Sequence, residues 1–130
     1  MHTFKKEERL CSKKLLDKLF HNGSSFLVYP FRIVSLPETL TFDVRAQVVI
    51  AVSKRKFKRA VDRNLIKRRV REAYRLNKAE LLYPFLSEKN FQLILSIHYI
   101  GKDISEYQFI EKKLKQAIKK LTESYENQPA

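Results

Sequence analysis

Segments with apolar residues at helical spacing alternate along the chain with segments of strand-like spacing. The changes from one spacing to the other predict where the secondary-structure elements begin and end. Near the N-terminus Ser12 is a predicted helix N-cap and Gly23 a predicted helix end. Between them apolar residues follow at helical spacing: Leu15, Leu16, Leu19 and Phe20. Residues 26–35 are rich in Val, Ile and aromatic residues, which predicts a strand that Pro30 bends or divides. After a predicted loop over residues 36–43, residues 44–52 predict a strand apolar enough in its second half to be central in a sheet.

The second half of the chain predicts a long helix, a strand and a final helix. The long helix covers about residues 59–81, and Pro84 breaks the chain soon after. Residues 91–100 predict a strand, and Ser105 with Gln108 has the capping-box spacing that opens a helix. The apolar stripe of that helix is Ile110, Leu114, Ala117, Ile118 and Leu121. The order of elements predicts an α+β fold, an α/β sandwich with one small sheet. We expect a single domain over residues 1–122 and a disordered polar tail over residues 123–130.

Positive charge is concentrated in one segment of the 130 residues. Lys and Arg number 27 against 14 Asp and Glu, which gives a net charge of +13. Residues 54–75 contain eleven basic and two acidic residues, so this segment holds +9 of that charge. Such a patch predicts a polyanionic partner, either nucleic acid or an acidic membrane surface. The first ten residues lack the apolar stretch of a signal peptide, and Cys11 is the single cysteine. We therefore expect a cytoplasmic protein.

The basic segment places its charges on one face of the predicted helix. With 3.6 residues per turn, one stripe holds Arg63, Asn64, Lys67, Arg68, Arg71 and Arg75. A different stripe, Ile66, Val70 and Ala73, can pack on a sheet. Like-charged neighbours four residues apart destabilise a helix by a few tenths of a kcal/mol each, so an external anion is expected to complete the site. The planar fork of Arg suits phosphate oxygens, and Asn64 could bond a sugar, a base edge or a hydrated metal ion.

Aromatic residues precede this patch and could stack on unpaired bases. They are Phe20, Phe26, Tyr29 and Phe31. An aromatic residue in an amphipathic element more often belongs to the core, and Phe20 is the best candidate because it lies at a helix end. Catalytic and metal-ligating constellations are not evident: the three His residues are scattered, and we interpret His98, in a strand, as structural. We therefore predict no catalytic residue and no metal site.

Specific motifs resemble the bacterial ribonuclease P protein subunit. The sequence RNLIKRRVRE (residues 63–72) is similar to the arginine-rich helix signature of that family, and AVSKR (residues 51–55) fits the strand that precedes it. KKEERL (residues 5–10), the short helix ending in Phe20 and then Gly23 also match. The family often has a third basic residue where Leu65 stands, and commonly an aromatic where Leu16 and Val34 stand.

The resemblance implies an αβββαβα fold with a small mixed sheet and a left-handed βαβ crossover around the basic helix. It implies that the RNA subunit, P RNA, cleaves precursor tRNA with bound Mg²⁺, and that the protein alone is not catalytic and holds no cofactor. The P RNA contacts that carry over are Arg59, Arg63, Asn64, Lys67, Arg68 and Arg71. The contacts to the single-stranded 5′ leader of precursor tRNA that carry over are Phe20, Lys54 and Arg55. We expect these two RNA partners, with no membrane and no DNA.

Three alternatives remain at this stage. A ribosomal or ribosome-assembly RNA-binding protein would share the basic helix without responding to precursor tRNA leaders. A DNA-binding transcription factor would need a helix-turn-helix and a dimer surface, and neither signature is found. A self-sufficient nuclease would need clustered acidic metal ligands, which the sequence does not suggest.

Overall fold

The computed structural model describes residues 3–126 and has the α+β architecture predicted from the sequence. A single 3₁₀ turn, Lys6–Glu8, precedes the regular elements. These are α1 (Lys13–Asn22), β1 (Ser24–Val28), β2 (Phe31–Pro37), β3 (Ala46–Val52), α2 (Ala60–Leu81), α3 (Tyr83–Lys89), β4 (Leu93–Tyr99) and α4 (Tyr107–Glu126). The predicted division of the first strand at Pro30 is confirmed. The short helix α3, which contains Pro84 in its first turn, was not predicted.

The four strands form one mixed sheet in the order β1-β2-β4-β3. Both β1 and β4 pair antiparallel with β2, whereas β3 runs parallel to β4, and α2 with α3 connects them. The prediction that β3 is central is wrong, because it lies at an edge of the sheet. The strand β3 is apolar although it lies at an edge, because the N-terminal segment covers that edge. Arg9 forms a bridge with Val48, and the Leu10 amide donates to the Val48 carbonyl over 2.9 Å.

Helix α1 begins and ends at the residues that the sequence predicted. The Ser12 hydroxyl accepts from the Leu15 amide at 3.3 Å, and the Gly23 amide donates to the Leu19 carbonyl at 2.7 Å. Gly23 has an extended backbone, so a left-handed conformation does not explain it. A Cβ at this position would lie 2.4 Å from the Leu19 oxygen and 2.9 Å from Val34 Cγ1. Glycine is therefore required because α1 and β2 approach each other closely here.

The sheet separates two hydrophobic clusters. On one face α2 and α4 cover residues such as Phe31, Ile33 and Leu95, and the predicted apolar stripe of α4 is buried there. On the other face α1 and the loop between β2 and β3, which begins after Pro37 and not at residue 36 as predicted, cover a smaller cluster: Leu10, Leu19, Val34, Leu40 and Ile94. Helix α1 therefore covers only part of its face of the sheet. No helix within residues 3–126 has the length and apolar character needed to cross a membrane.

Helix α4 differs from the prediction at both ends. It begins at Tyr107, and the Ser105 hydroxyl lies 2.7 Å from the Tyr99 hydroxyl instead of forming the expected capping box with Gln108. At its other end α4 runs to Glu126, so residues 123–126 are helical and not part of a disordered tail. The physical reason is Tyr125, which is buried and whose hydroxyl lies 2.8 Å from the Ser35 hydroxyl. Residues 127–130 of that predicted tail lie outside the described residues.

Candidate nucleic-acid interface

Helix α2 presents the predicted basic stripe on the side opposite its core contacts. Ile66, Val70 and Ala73 are fully buried against the sheet and α4, as their spacing predicted. Of the candidate residues of α2 and its N-cap, Arg59, Asn64, Arg68 and Arg71 are exposed, and Arg63 and Lys67 are half-buried. The six residues of the predicted P RNA set are here called the α2 stripe. Asn64, Lys67, Arg68 and Arg71 lie on the side of α2 away from the core, whereas Arg63, three residues before the buried Ile66, lies toward the core side of the first turn.

Arg63 has a structural role in addition to its place in the α2 stripe. Its guanidinium donates to the carbonyl oxygens of Phe57 and Lys58 at 2.8 and 2.9 Å. These bonds hold the loop between β3 and α2 against the first turn of the helix. The remaining donors of the guanidinium fork are the part of Arg63 available to an external anion.

The candidate cations have no acidic partners in the part of the chain that the structure describes. Ion pairs within residues 3–126 join Lys18 to Glu38, Arg75 to Glu72 and Lys78 to Glu8. None involves a predicted RNA-binding residue. Arg75, which the sequence placed at the end of the stripe, is 2.5 Å from Glu72, and its hydrogen bond lowers the pKa of that carboxyl. The α2 stripe therefore lacks acidic partners within residues 3–126, as predicted, whereas Arg75, which is not one of its six residues, is paired with Glu72.

A groove opens on the other face of the sheet, beside the C-terminal end of α1. Its volume is about 400 Å³, and its lining consists of Phe20, Gly23, Ser25, Arg32, Val34, Ala51, Ser96 and His98. The register explains this set, because directly paired residues of neighbouring strands point to the same face. Leu27, Arg32, His98 and Ala51 form one row across the four strands, and Ser25, Val34, Ser96 and Val49 form the next.

Phe20 forms a wall of this groove and does not belong to the core. Its side chain is 60% exposed, whereas Leu19, the preceding residue of α1, is fully buried in the smaller hydrophobic cluster. Of the other aromatic candidates, Phe31 is fully buried and Phe26 is half-buried with the Lys120 ammonium 5.0 Å from its ring centroid. Tyr29 is 58% exposed at the β1–β2 turn but does not line the groove.

Sequence reasoning missed Arg32 and His98, which line the floor of the groove. His98 is half-buried, and its pKa is lowered by burial first and then by the positive charges of Arg32 and Lys56. A signal was present in the sequence: Arg32 interrupts an apolar strand, and Ser96 and His98 alternate with apolar residues along β4. Such alternation indicates one polar face, so His98 is better explained as a groove residue than as a structural histidine.

Lys54 and Arg55 lie outside the groove, in the loop between β3 and α2, where both are exposed. Ala51, a groove residue, precedes this loop by a few positions, and Arg59 ends it. The loop thus connects the groove on one face of the molecule to the α2 stripe on the other. Within the described residues, no group of three or more His, Cys, Asp and Glu side chains could hold a metal ion.

Of the three departures from the family pattern, one bears directly on the groove. Val34 is 9% exposed and lines the groove floor, where an aromatic side chain would occupy more of its volume. Leu16 packs against the smaller hydrophobic cluster, and Leu65 is half-buried on α2. The groove therefore has Phe20 as the aromatic ring of its lining.

Comparisons with known proteins agree on one family. A family model described as Ribonuclease P matches residues 4–122. The ribonuclease P protein component of Petrotoga mobilis is 36% identical over 121 residues, covering 92% of this chain and 95% of that protein. The one from Porphyromonas gingivalis is 32% identical over 113 residues, covering 87% and 82%. The structure of the Staphylococcus aureus RNase P protein superposes with a TM-score of 0.70 at 19% identity, over 88% of this chain and 94% of that one. The Thermotoga maritima protein gives a TM-score of 0.68 at 20% identity, over 87% and 96%.

Proposed function

The chain belongs to the ribonuclease P protein family, and we propose that it binds P RNA through the α2 stripe while its groove holds the 5′ leader of precursor tRNA. Membership of this family makes it the protein component of a ribonuclease P holoenzyme, with an RNA partner. The ribosomal RNA-binding alternative is not favoured, since both the family model and the curated relatives point to tRNA 5′ maturation.

The proposed P RNA contacts rest on the charge and exposure of the α2 stripe. Arg68 and Arg71 are exposed and have no carboxylate partner within residues 3–126, so phosphates would neutralise a helix face that otherwise repels itself. Arg guanidinium groups bind phosphate oxygens in a bidentate manner. Asn64 lies one turn before Arg68 on the same face and supplies a neutral donor and acceptor for a sugar or base edge.

The proposed leader contact rests on one observation, the exposure of the Phe20 ring on the groove wall. Exposure of 60% for a phenylalanine leaves apolar surface in water, which an unpaired base would cover by stacking. Lys54 and Arg55 sit in the loop that connects this groove to the α2 stripe. In that position they would bind leader phosphates between the RNA subunit and the groove.

Catalysis is proposed to belong to the RNA subunit, with Mg²⁺ held by RNA groups. The described part of the chain offers no cluster of carboxylates that would fit such an ion, and the residues of both surfaces bind and orient RNA instead. We propose a cytoplasmic location, which suits a chain with one cysteine.

Reconstitution with a bacterial P RNA tests this function. The protein should restore 5′ processing of precursor tRNA at Mg²⁺ concentrations where the RNA alone is slow, and the protein without RNA should cleave nothing. A ribosomal RNA-binding protein would bind P RNA weakly and leave the Mg²⁺ dependence unchanged. Mg²⁺-dependent cleavage by highly purified protein without RNA would contradict the proposal.

A further inference from the structure

Arg32 and His98 lie side by side on the floor of the groove. They are directly paired residues of β2 and β4, so their side chains project to the same face of the sheet. The other described lining residues are neutral, and none of them carries a carboxylate. Arg32 is exposed and has no ion-pair partner within residues 3–126. The groove floor therefore combines a permanent cation with a titratable group and lacks an anion.

Positive charges surround His98 from two of the elements next to it. Arg32 approaches from β2, and Lys56 approaches from the loop between β3 and α2, where its ammonium donates to the Ile100 carbonyl at 2.7 Å. Helix α1 contributes Phe20 and strand β1 contributes Ser25, neither of which is charged. His21, next to Phe20, is exposed and has its Nδ1 atom 2.7 Å from the Asp17 carbonyl of its own helix. A bound anion would therefore offset the positive charge of Arg32 and Lys56 beside His98.

We propose that Arg32 and His98 form a phosphate subsite in the groove, which binds one phosphodiester of single-stranded RNA and binds it more tightly as the pH falls. This inference rests on the proposed function of the groove in leader binding. Phe20 stacks a base on the wall while Arg32 and His98 hold an adjoining phosphate on the floor. The guanidinium supplies charge at every pH, and the imidazole adds a second charge when it is protonated.

The direction of the pH effect follows from linkage. In the free protein, burial and the two neighbouring cations lower the pKa of His98, so the imidazole is neutral at pH 7. A bound phosphate stabilises the imidazolium, so the pKa of His98 is higher in the complex than in the free protein. Binding therefore takes up a proton. A difference of one pKa unit makes binding about tenfold tighter at low pH than at high pH.

The test compares precursor tRNA with mature tRNA on the reconstituted holoenzyme between pH 5.5 and pH 8. The precursor carries a short uridine leader, because uridine has no group that titrates in this interval. Both tRNAs are prepared with a 5′-hydroxyl end, because the second ionisation of a terminal phosphate falls in this interval. The ratio of the two dissociation constants then reports the contribution of the leader. In the wild-type holoenzyme this ratio should favour the precursor increasingly as the pH falls, by about tenfold per unit of pKa difference.

Three variants separate charge from structure. With His98→Gln the ratio should be independent of pH and stay at the high-pH value. With His98→Lys it should be independent of pH and stay at the low-pH value. With Arg32→Gln the preference should be weaker at every pH and its midpoint should move upward, because the Arg32 charge no longer lowers the pKa of His98. His21→Gln is the matched control and should keep the wild-type profile.

Backbone chemistry of the leader identifies the anion. A methylphosphonate at a single linkage removes one negative charge, and at one position it should abolish the pH dependence without removing the effect of Phe20. A wild-type preference that does not change with pH, or a His98→Gln profile equal to wild type, would overturn the subsite. Equal binding of precursor and mature tRNA at every pH would instead overturn the proposed function of the groove.

Discussion

The carboxylate of Glu8 and the ammonium group of Lys78 form a buried ion pair that fastens the N-terminal segment to α2. The two side chains are 6% and 3% exposed. Glu8 also accepts from the Tyr83 hydroxyl at 2.5 Å and, with its other oxygen, from the Lys5 amide at 2.6 Å. The Lys78 ammonium lies 5.2 to 5.9 Å from the centroids of three aromatic rings, Phe4, Tyr74 and Tyr83. This arrangement holds the segment that covers the β3 edge.

Breaking one half of this pair should destabilise the protein more than removing both halves. Glu8→Gln or Lys78→Met alone should lower the free energy of unfolding by about 3–5 kcal/mol, because each leaves a buried group without its partner. The double variant should cost less than either single variant, since no lone charge stays buried. Urea denaturation of the four proteins measures this coupling. Strictly additive losses would show that the two groups do not interact.

Acid should weaken the same attachment. Burial alone would raise the pKa of Glu8, but hydrogen bonds from Lys78, Tyr83 and the Lys5 amide outweigh it and leave the pKa below the ordinary 4.5. A carboxyl whose pKa is lower in the folded state stabilises the fold above the unfolded value, and this stabilisation is lost as the pH falls through the folded value. We expect stability to fall below pH 4.5.

The variant Glu8→Gln should reduce the slope of stability against pH in that acid range. Glu72→Gln is the matched control: the Glu72 side chain is 46% exposed and its pairing with Arg75 is at the surface. Its acid profile should stay close to that of the wild type. Thermal unfolding at several pH values distinguishes the two variants, and equal profiles for both would argue against a dominant role for Glu8.

Local patterns predicted α1, α2, α4 and most strands, because each depends on residues that are near in sequence. The apolar stripe of α4 and the caps of α1 are of this kind. The edge position of β3 could not be predicted in this way, since it depends on the distant Arg9–Val48 bridge and on β4 inserting between β2 and β3. The buried state of Glu8 was hidden for the same reason: KKEERL is a charged segment that a local pattern assigns to solvent.

The candidate site likewise contains residues that a local pattern predicts and residues that only the tertiary structure brings together. The α2 stripe could be predicted because helical spacing alone places Arg68 and Arg71 on one face. Phe20 was found as a helix-end aromatic, but its exposure was not predictable, since a core phenylalanine has the same local pattern. Arg32 and His98 come together only through the β2–β4 register, which the sequence does not state.

Reversing charge on the α2 stripe should abolish RNA binding without unfolding the protein. Lys67→Glu with Arg71→Glu replaces the like-charged pairs that these positions form with Arg63 and Arg75 by opposite-charged pairs, which favours the helix. Neither Lys67 nor Arg71 has a carboxylate partner within residues 3–126. Affinity for P RNA should fall by orders of magnitude. The slope of log affinity against log salt should become shallower by roughly 0.7–0.9 for each phosphate that the protein no longer neutralises.

An equal charge change elsewhere is the control for net charge. Lys112→Glu with Lys119→Glu alters two exposed lysines of α4 that lie outside both proposed surfaces. This variant should bind P RNA far better than the α2 variant at the same salt concentration. If the two double variants lost affinity equally, the overall charge of the protein and not the α2 stripe would account for binding. Circular dichroism melting confirms that each variant is folded.

Phe20→Ala should weaken precursor tRNA binding selectively. Loss of one stacked base costs about 1–3 kcal/mol, so the affinity of the holoenzyme for precursor tRNA should fall by that amount. Mature tRNA has no leader and should bind almost unchanged. The melting temperature should shift little, because a ring that is 60% exposed leaves no cavity when it is truncated. Fluorescence titration with both tRNAs, beside thermal melting, measures these effects.

Phe42→Ala is the matched control for this last prediction. Phe42 is also half-exposed, at 50%, but lies in the loop between β2 and β3 and does not line the groove. Its truncation removes the same apolar surface and should leave the preference for precursor over mature tRNA intact. If Phe20→Ala weakened both tRNAs equally and lowered the melting temperature, the ring would support the fold. A leader site, in contrast, requires that the loss be confined to the precursor and to Phe20.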